Sequence, residues 1–186
     1  MQGRVLIISG PSGSGKSSIV RRLKSDPRVV FSISATTRKP RAGEVDGVDY
    51  HFLTQAQFRE YIAQGKFIEH AEVHGNLYGT LREPMDAAVE AGKVYLVEID
   101  VQGAMQLKEL GVDAEYVFVA PPDMDELRRR LVTRGTDAPD VIERRLKKAN
   151  DEMLESHRYT HCITNEDLDA AVAEVERVVG LDRAED

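Results

Sequence analysis

Eight consecutive residues near the start of the chain, Gly10-Pro11-Ser12-Gly13-Ser14-Gly15-Lys16-Ser17, fit the pattern G-x-x-x-x-G-K-[ST]. The chemistry such a run supports is phosphate binding. Glycines let successive backbone N–H groups converge on phosphate oxygens without interference from Cβ, and a helix N-terminus behind them adds positive potential. Lys16 supplies a mobile charge for β and γ oxygens, and the Ser17 hydroxyl suits a Mg²⁺ ion. The preceding apolar run Leu6-Ile7-Ile8 reads as the strand that must deliver this loop.

A nucleoside triphosphate can serve a switch, a motor or a kinase, so other residues must decide. Asp100-Val101-Gln102-Gly103 follows an apolar run and spells D-x-x-G, which fits either a GTPase or an acid near the metal of a kinase. No N-K-x-D string for guanine follows the loop, which disfavours the switch. A kinase needs a second phosphate-binding site. Arg38 and Arg41 flank Pro40, and guanidinium forks suit bidentate phosphate recognition, with Tyr50 and Tyr78 as hydroxyl donors. Residues 126–148 form a basic island, eight bases against four acids, in a chain whose net charge is −7. Glu98 and Asp100, two apart at a strand end, are expected to share a face. His70 and His74 lie in a stretch that reads as a strand, so they lack the helical H-E-x-x-H spacing of a zinc site.

Positioning these groups requires a layered scaffold. Apolar runs alternate with amphipathic segments, the pattern of a mostly parallel sheet covered by helices. Five core strands are predicted at Val5–Ser9, Val29–Ser34, Val94–Ile99, Tyr116–Ala120 and His161–Thr164. Asp123 is placed as the cap of a helix running to about Val132, and Leu168, Ala171, Val172, Val175 and Val179 recur at helical spacing. Residues 35–80, with Pro40, Gly43, Gly47 and the hairpin-like Gly75-Asn76, break the alternation and read as an inserted lobe. At 186 residues the chain is expected to make one domain, and its acidic balance argues against a nucleic-acid coat or a polybasic membrane binder. A cytoplasmic location is expected, since the N-terminus carries no signal-like or membrane-spanning run. The single cysteine, Cys162, is expected to be a buried core thiol.

With these motifs in place a resemblance becomes specific. Ser34-Ala35-Thr36-Thr37-Arg38-Lys39-Pro40-Arg41-Ala42-Gly43-Glu44 and Gly47-Val48-Asp49-Tyr50-His51-Phe52 resemble the GMP-binding lobe of guanylate kinases. Glu69, Gly75-Asn76-Leu77-Tyr78-Gly79-Thr80, Glu98-Ile99-Asp100-Val101-Gln102-Gly103 and Arg134-Gly135-Thr136 continue the pattern in order, from about Arg4 to about Leu181. The departures, around Leu81 and Pro84 and at Glu98 where some members have Asp, are small.

The resemblance, to bacterial members of the family, implies an α/β fold: a P-loop kinase core with a five-stranded parallel sheet of order 2-3-1-4-5. It places the core at 1–34, 81–123 and 149–186, the GMP-binding lobe at 35–80 and a helical lid at 124–148. It implies the reaction ATP + GMP → ADP + GDP with Mg²⁺, by direct in-line transfer. Lys16, Arg38, Arg41, Arg130, Arg134 and Arg145 would supply the catalytic positive charge. Residues Gly10, Pro11, Ser12, Gly13, Ser14, Gly15, Lys16, Ser17 and Ser18 would cradle ATP, with Asn165 near adenine. Ser34, Glu69, Thr80 and Asp100 would face guanine, and Arg38, Arg41, Tyr50 and Tyr78 the GMP phosphate. Ser17 would touch the metal, with Asp100 and Glu98 reaching it through water. The implied partners are small molecules, with no nucleic acid and no membrane. Another P-loop kinase with a different acceptor, or a non-catalytic peptide-binding module, are the alternative readings.

Overall fold

The computed structural model describes residues 2–73, 75–133, 135 and 138–182. His74 and Arg134 lie outside the described residues. In chain order the elements are β1 (Arg4–Ser9), α1 (Lys16–Leu23), β2 (Val29–Phe31), β3 (Ala35–Thr36), β4 (His51–Phe52), α2 (Gln55–Ala63), β5 (Phe67–Val73), β6 (Asn76–Leu81) and α3 (Arg82–Glu90). They continue with β7 (Val94–Glu98), α4 (Val101–Glu109), β8 (Glu115–Ala120), α5 (Met124–Thr133), α6 (Pro139–Leu154), β9 (His161–Thr164) and α7 (Leu168–Val179).

Five strands form a parallel sheet in the order β2-β7-β1-β8-β9. Counting only these strands along the chain, the order is 2-3-1-4-5, as the resemblance implies. The central strands are apolar throughout because both their faces are covered. Leu6 and Ile8 of β1 join Val20, Val117, Ile163 and Val175 under α1 and α7. Val5 and Ile7 point the other way, to Tyr95, Ala104, Leu107 and Phe118 under α3 and α4. Full burial of each such aliphatic side chain contributes about 1.5–3 kcal/mol before entropy is counted.

Two expectations are corrected at the sheet edges. The second strand ends at Phe31 rather than Ser34: Ser32 N–H still donates to the Leu96 carbonyl at 2.8 Å, after which the chain leaves the sheet toward β3. Cys162 is exposed rather than buried. On the edge strand β9, Ile163 enters the core while its neighbours Cys162 and Thr164 face out, the alternation of a strand with one covered face.

The segment between β2 and α3 builds a separate sheet, ordered β4-β3-β6-β5. Its own small core is made by Ala35, Phe58 and Phe67, with the two phenyl rings stacked at 4.4 Å. Helix α2 is started by Thr54 and Gln57, whose side chains each accept from the other's backbone N–H. The β5–β6 hairpin closes with Val73 opposite Asn76, and Gly75 takes a φ of +76° that a side chain would resist. A third cluster joins α5 to α6 through Leu127, Leu131, Ile142, Leu146 and Ala149. Asp123 caps α5 as its position foretells, accepting from the Glu126 N–H at 2.7 Å. Among the described residues, no helix is long and apolar enough to cross a membrane.

Candidate active site

The glycine-rich run lies at the carboxyl end of β1, between the sheet and the first turn of α1. Its geometry explains two of the glycines. Gly10 has φ +136° and a Cβ there would sit 2.3 Å from the Val119 carbonyl; at Gly15, φ +95°, it would sit 2.0 Å from Asn165 Nδ2. Asn165 itself is 5% exposed and donates from Nδ2 to the Ser14 carbonyl at 2.8 Å. It therefore fastens the loop to the end of β9. Lys16 Nζ reaches back to the Gly10 and Pro11 carbonyls at 2.7 and 3.2 Å, holding its charge over the loop.

Two carboxylates stand beside this loop. Ser17 Oγ donates to Glu98 Oε1 at 2.7 Å. The expectation that Glu98 and Asp100 share a strand face is corrected: β7 ends at Glu98, and Asp100 caps α4, accepting from the Gly103 N–H at 2.8 Å. The D-x-x-G string is thus a helix start, with Gly103 kept small because a Cβ would lie 2.4 Å from Ile99 Cδ1. Glu98 and Asp100 nonetheless line one cavity of about 370 Å³, together with Lys16, Ser34, Asp49 and Tyr50. Among the described residues no cluster of three or more His, Cys, Asp or Glu could hold a metal unaided. One hydroxyl and two carboxylates match an ion that takes oxygen ligands, keeps several waters and completes its shell with substrate phosphate, as Mg²⁺ does.

Across that cavity the second sheet presents cationic and aromatic groups. The Arg38 guanidinium lies over the Tyr50 and Phe52 rings at 5.3 and 5.8 Å, and the Tyr78 ring meets Tyr50 edge-on at 6.1 Å. Glu44 pairs with Arg38 through both carboxylate oxygens, and this guanidinium holds the Glu44 carboxyl down to about 2. Arg41 is exposed and gives its backbone N–H to the same carboxylate at 2.7 Å. Glu69 of β5 faces Thr80 of β6, whose buried hydroxyl donates to Glu69 Oε1 at 2.7 Å. Burial raises the Glu69 carboxyl above its ordinary range, with the charge of Asp100 adding to the rise.

The basic island is distributed over α5 and α6. Arg130 donates to Glu126 at 2.7 Å, to the Ser14 carbonyl at 3.2 Å and to the Asn165 carbonyl at 3.0 Å, so it ties α5 to the phosphate loop and to Asn165 together. A second cavity, about 420 Å³, opens there between Gly13, Gly15, Ser18, Arg130, Asn165 and Leu168. Arg129 also pairs with Glu126, and Arg128 crosses to Glu143 on α6. Arg145 is half-buried on α6, whereas Arg144 beside it is exposed.

Two carboxylates with no role among the sequence expectations belong to this region. Glu44 ends the run that resembles the GMP-binding lobe. Glu152, on α6, is raised by burial and feels the charges of Lys148, Lys16 and Asp100. Its proximity arises from helix packing, which no local motif encodes. A larger cavity of about 740 Å³ sits near Gly3, Arg4, Val89 and Glu115, at the amino ends of β1 and β8, away from the phosphate loop.

Comparison with known proteins identifies the family and the fold. Residues 2–181 match the family model of guanylate kinase. Curated guanylate kinases from Clostridium perfringens and Corynebacterium jeikeium are 42% and 46% identical, covering 96% and 95% of this chain and 83% and 96% of their own. One from Mycolicibacterium paratuberculosis is 47% identical over 93% of this chain and 79% of its own. A crystal structure of guanylate kinase from Anaplasma phagocytophilum superposes with a TM-score of 0.72 at 33% identity, covering 98% of this chain and 87% of that one. With its phosphate loop, its facing arginine–tyrosine cluster and a family match across nearly its whole length, this chain belongs to the guanylate kinase family.

Proposed function

We propose that this chain catalyses ATP + GMP → ADP + GDP, with the sheet of β1, β2, β7, β8 and β9 as the core, residues 35–80 as the GMP-binding lobe and residues 124–148 as a lid. The observation that carries this reading is the cavity between two unlike anion sites: Lys16 and its loop on one wall, Tyr50 with Arg38 stacked on it on the other. Transfer needs no protein nucleophile. Two polyanions must be brought together in line, and fixed positive groups in a water-poor cleft oppose their repulsion.

Each residue has a part in that task. The loop amides and Lys16 hold the donor's phosphates, and Asn165 borders the cavity proposed for adenine. Ser17, with Glu98 and Asp100 through water, would hold Mg²⁺, which would supply charge neutralisation on the donor. Arg38, Arg41, Tyr50 and Tyr78 bind the GMP phosphate. Glu69, with Thr80, Ser34 and Asp100, reads guanine: one carboxylate accepts from the adjacent N1–H and 2-amino group, a pair that adenine lacks. Arg130, Arg134 and Arg145 of the lid add positive charge as the cleft closes, which also excludes water as a competing acceptor. Small-molecule partners alone and a cytoplasmic setting complete the reading, supported by the acidic charge balance.

The deciding experiment measures ADP formation from ATP with GMP, AMP, CMP and UMP as acceptors. GMP is expected to be preferred by about 10³-fold or more, given roughly 1.5–3 kcal/mol for each charge-assisted hydrogen bond and a further cost for a stranded carboxylate. Equal use of AMP, or no transfer to any monophosphate, refutes it.

A further inference from the structure

Arg38 is already engaged before any phosphate arrives, and the pattern of its bonds matters. Nη1 donates to the Lys39 carbonyl and to Glu44 Oε2, both at 2.9 Å, and Nη2 donates to Glu44 Oε1 at 2.8 Å. A guanidinium carries five N–H donors in a planar fork. These three bonds consume both Nη1 hydrogens and one Nη2 hydrogen. Glu44 and the Lys39 carbonyl do not take the side edge, Nε–H together with the other Nη2–H, the pair of parallel donors that suits a phosphate, and the Tyr78 hydroxyl is a further partner of the same guanidinium. Glu44 thus takes the end of the guanidinium and leaves its side.

The same carboxylate is tied down from its other partners. Glu44 Oε2 also accepts from the Arg41 N–H at 2.7 Å, so one acid closes the turn between the two arginines and sets the plane of the first. The two side chains of the pair are only 14% and 20% exposed, and the guanidinium is flanked by the Tyr50 and Phe52 rings. Packing on those rings restricts where the plane can go, and Glu44 removes the remaining rotation about the long side chain.

We propose that Glu44 is a positioning residue for the acceptor phosphate, acting through Arg38 by holding its Nε/Nη2 edge toward the cleft. The proposal rests on the reading of Arg38 as a GMP phosphate ligand. A phosphate then meets an arginine whose rotamer entropy has been lost in advance. The opposite role, a carboxylate that blocks the arginine until phosphate displaces it, requires Glu44 to occupy the side edge, and it occupies the end.

Glu44→Gln is the informative change, because one amide oxygen can keep the Oε2 bonds to Arg41 N–H and Nη1 while its NH₂ group meets Nη2 donor to donor. The turn is retained and the plane of Arg38 is released. The experiment is a double-mutant cycle of Glu44→Gln and Arg38→Lys, reading KM for GMP, kcat, and GMP and ATP binding by calorimetry, with circular dichroism to verify folding. We expect Glu44→Gln to raise KM and Kd for GMP by about 10-fold, with kcat within about 3-fold and ATP binding unchanged. In the Arg38→Lys background the same change should cost less than 2-fold, since the fork it positions is gone. Tighter GMP binding in Glu44→Gln would show a blocking carboxylate and overturn the proposal; so would full effects of both changes adding independently. If Arg38→Lys itself leaves GMP binding intact, the assignment of the phosphate site fails instead. Should Glu44→Gln not fold, Glu44→Asp serves: one methylene shorter, it keeps the charge but cannot span both bonds, and it must show the same loss for GMP alone.

Discussion

The two walls of the cleft are built from different materials. The phosphate loop is made of backbone: glycines at left-handed angles, a helix start, and Asn165 and Arg130 pinning the Ser14 carbonyl from outside. The facing wall is made of side chains: Arg38 oriented by Glu44 and stacked on Tyr50, and Glu69 held by Thr80. On the proposed function, the difference follows from what each wall would have to read. Triphosphate is the same in every nucleotide, so amides that converge on oxygen suffice, whereas one base and one phosphate must be told from their relatives by directed donors and acceptors. The backbone wall gains its rigidity from the central strand of the sheet. The side-chain wall hangs on a small four-stranded sheet with a core of three buried residues, and its precision depends on pairwise contacts.

Breaking the backbone wall at Lys16 should have the largest effect. Lys16→Ala is expected to lower kcat by about 10³–10⁵-fold with the fold and GMP binding intact, the range of a group that holds the donor's phosphates and stabilises the charge that develops during transfer. Single-turnover kinetics beside calorimetry with GMP alone check it, and a folded variant of near-normal turnover removes Lys16 from the chemistry.

On the side-chain wall, Glu69→Gln replaces an acceptor with a donor facing a donor on guanine. It should reduce kcat/KM for GMP by about 10²–10⁴-fold while ATP affinity is unchanged and AMP stays poor. A pH test sharpens this. Burial raises the Glu69 carboxyl, so the parent's GMP affinity should fall as pH drops through that raised value, and the variant should lack this acid limb. Stability carries the opposite sign. A carboxyl raised on folding destabilises the native state above its folded pKa and is relieved as pH falls toward the unfolded value of 4.5. The Tm of the parent should therefore gain on that of Glu69→Gln as pH is lowered, and a parallel pair of melting curves would contradict the buried-carboxylate account.

The smallest expected effect separates phosphate ligands from surface charge within the basic island. Arg145→Ala should lower kcat by about 10²-fold with little change in GMP binding, as an interaction made in the closed state does. Arg144→Ala, next to it, should leave kcat and Tm within about 2-fold and 2 °C of the parent, because Arg144 pairs with Asp140 one turn earlier at the exposed surface. Equal losses from both would mean that the island acts by its summed field and not through chosen residues.

Local patterns carried a large part of this molecule. The phosphate loop, the cap at Asp123, the helix from Leu168 and the apolar runs of the sheet are each written in adjacent residues or in a short period, because backbone geometry and one-face burial act over a few residues. The resemblance added the strand order and the residues expected to face guanine. Where the reading failed, the cause was a partner distant in sequence. Ser34 left its strand because the pairing of β2 with β7 ends at Phe31, Cys162 faces outward because only the opposite face of β9 is covered, and Asp100 became a cap because β7 stops at Glu98. The charge of Lys16 acts on Glu152, 136 residues along the chain, because α6 packs near the loop. Residue types and short spacings determined which chemistry this chain holds, phosphate cradle and arginine fork alike. Tertiary structure alone decided which end of Arg38 Glu44 takes and which carboxylates stand near Lys16 and Ser17, because hydrogen-bond direction and burial are properties of neighbours brought together by folding.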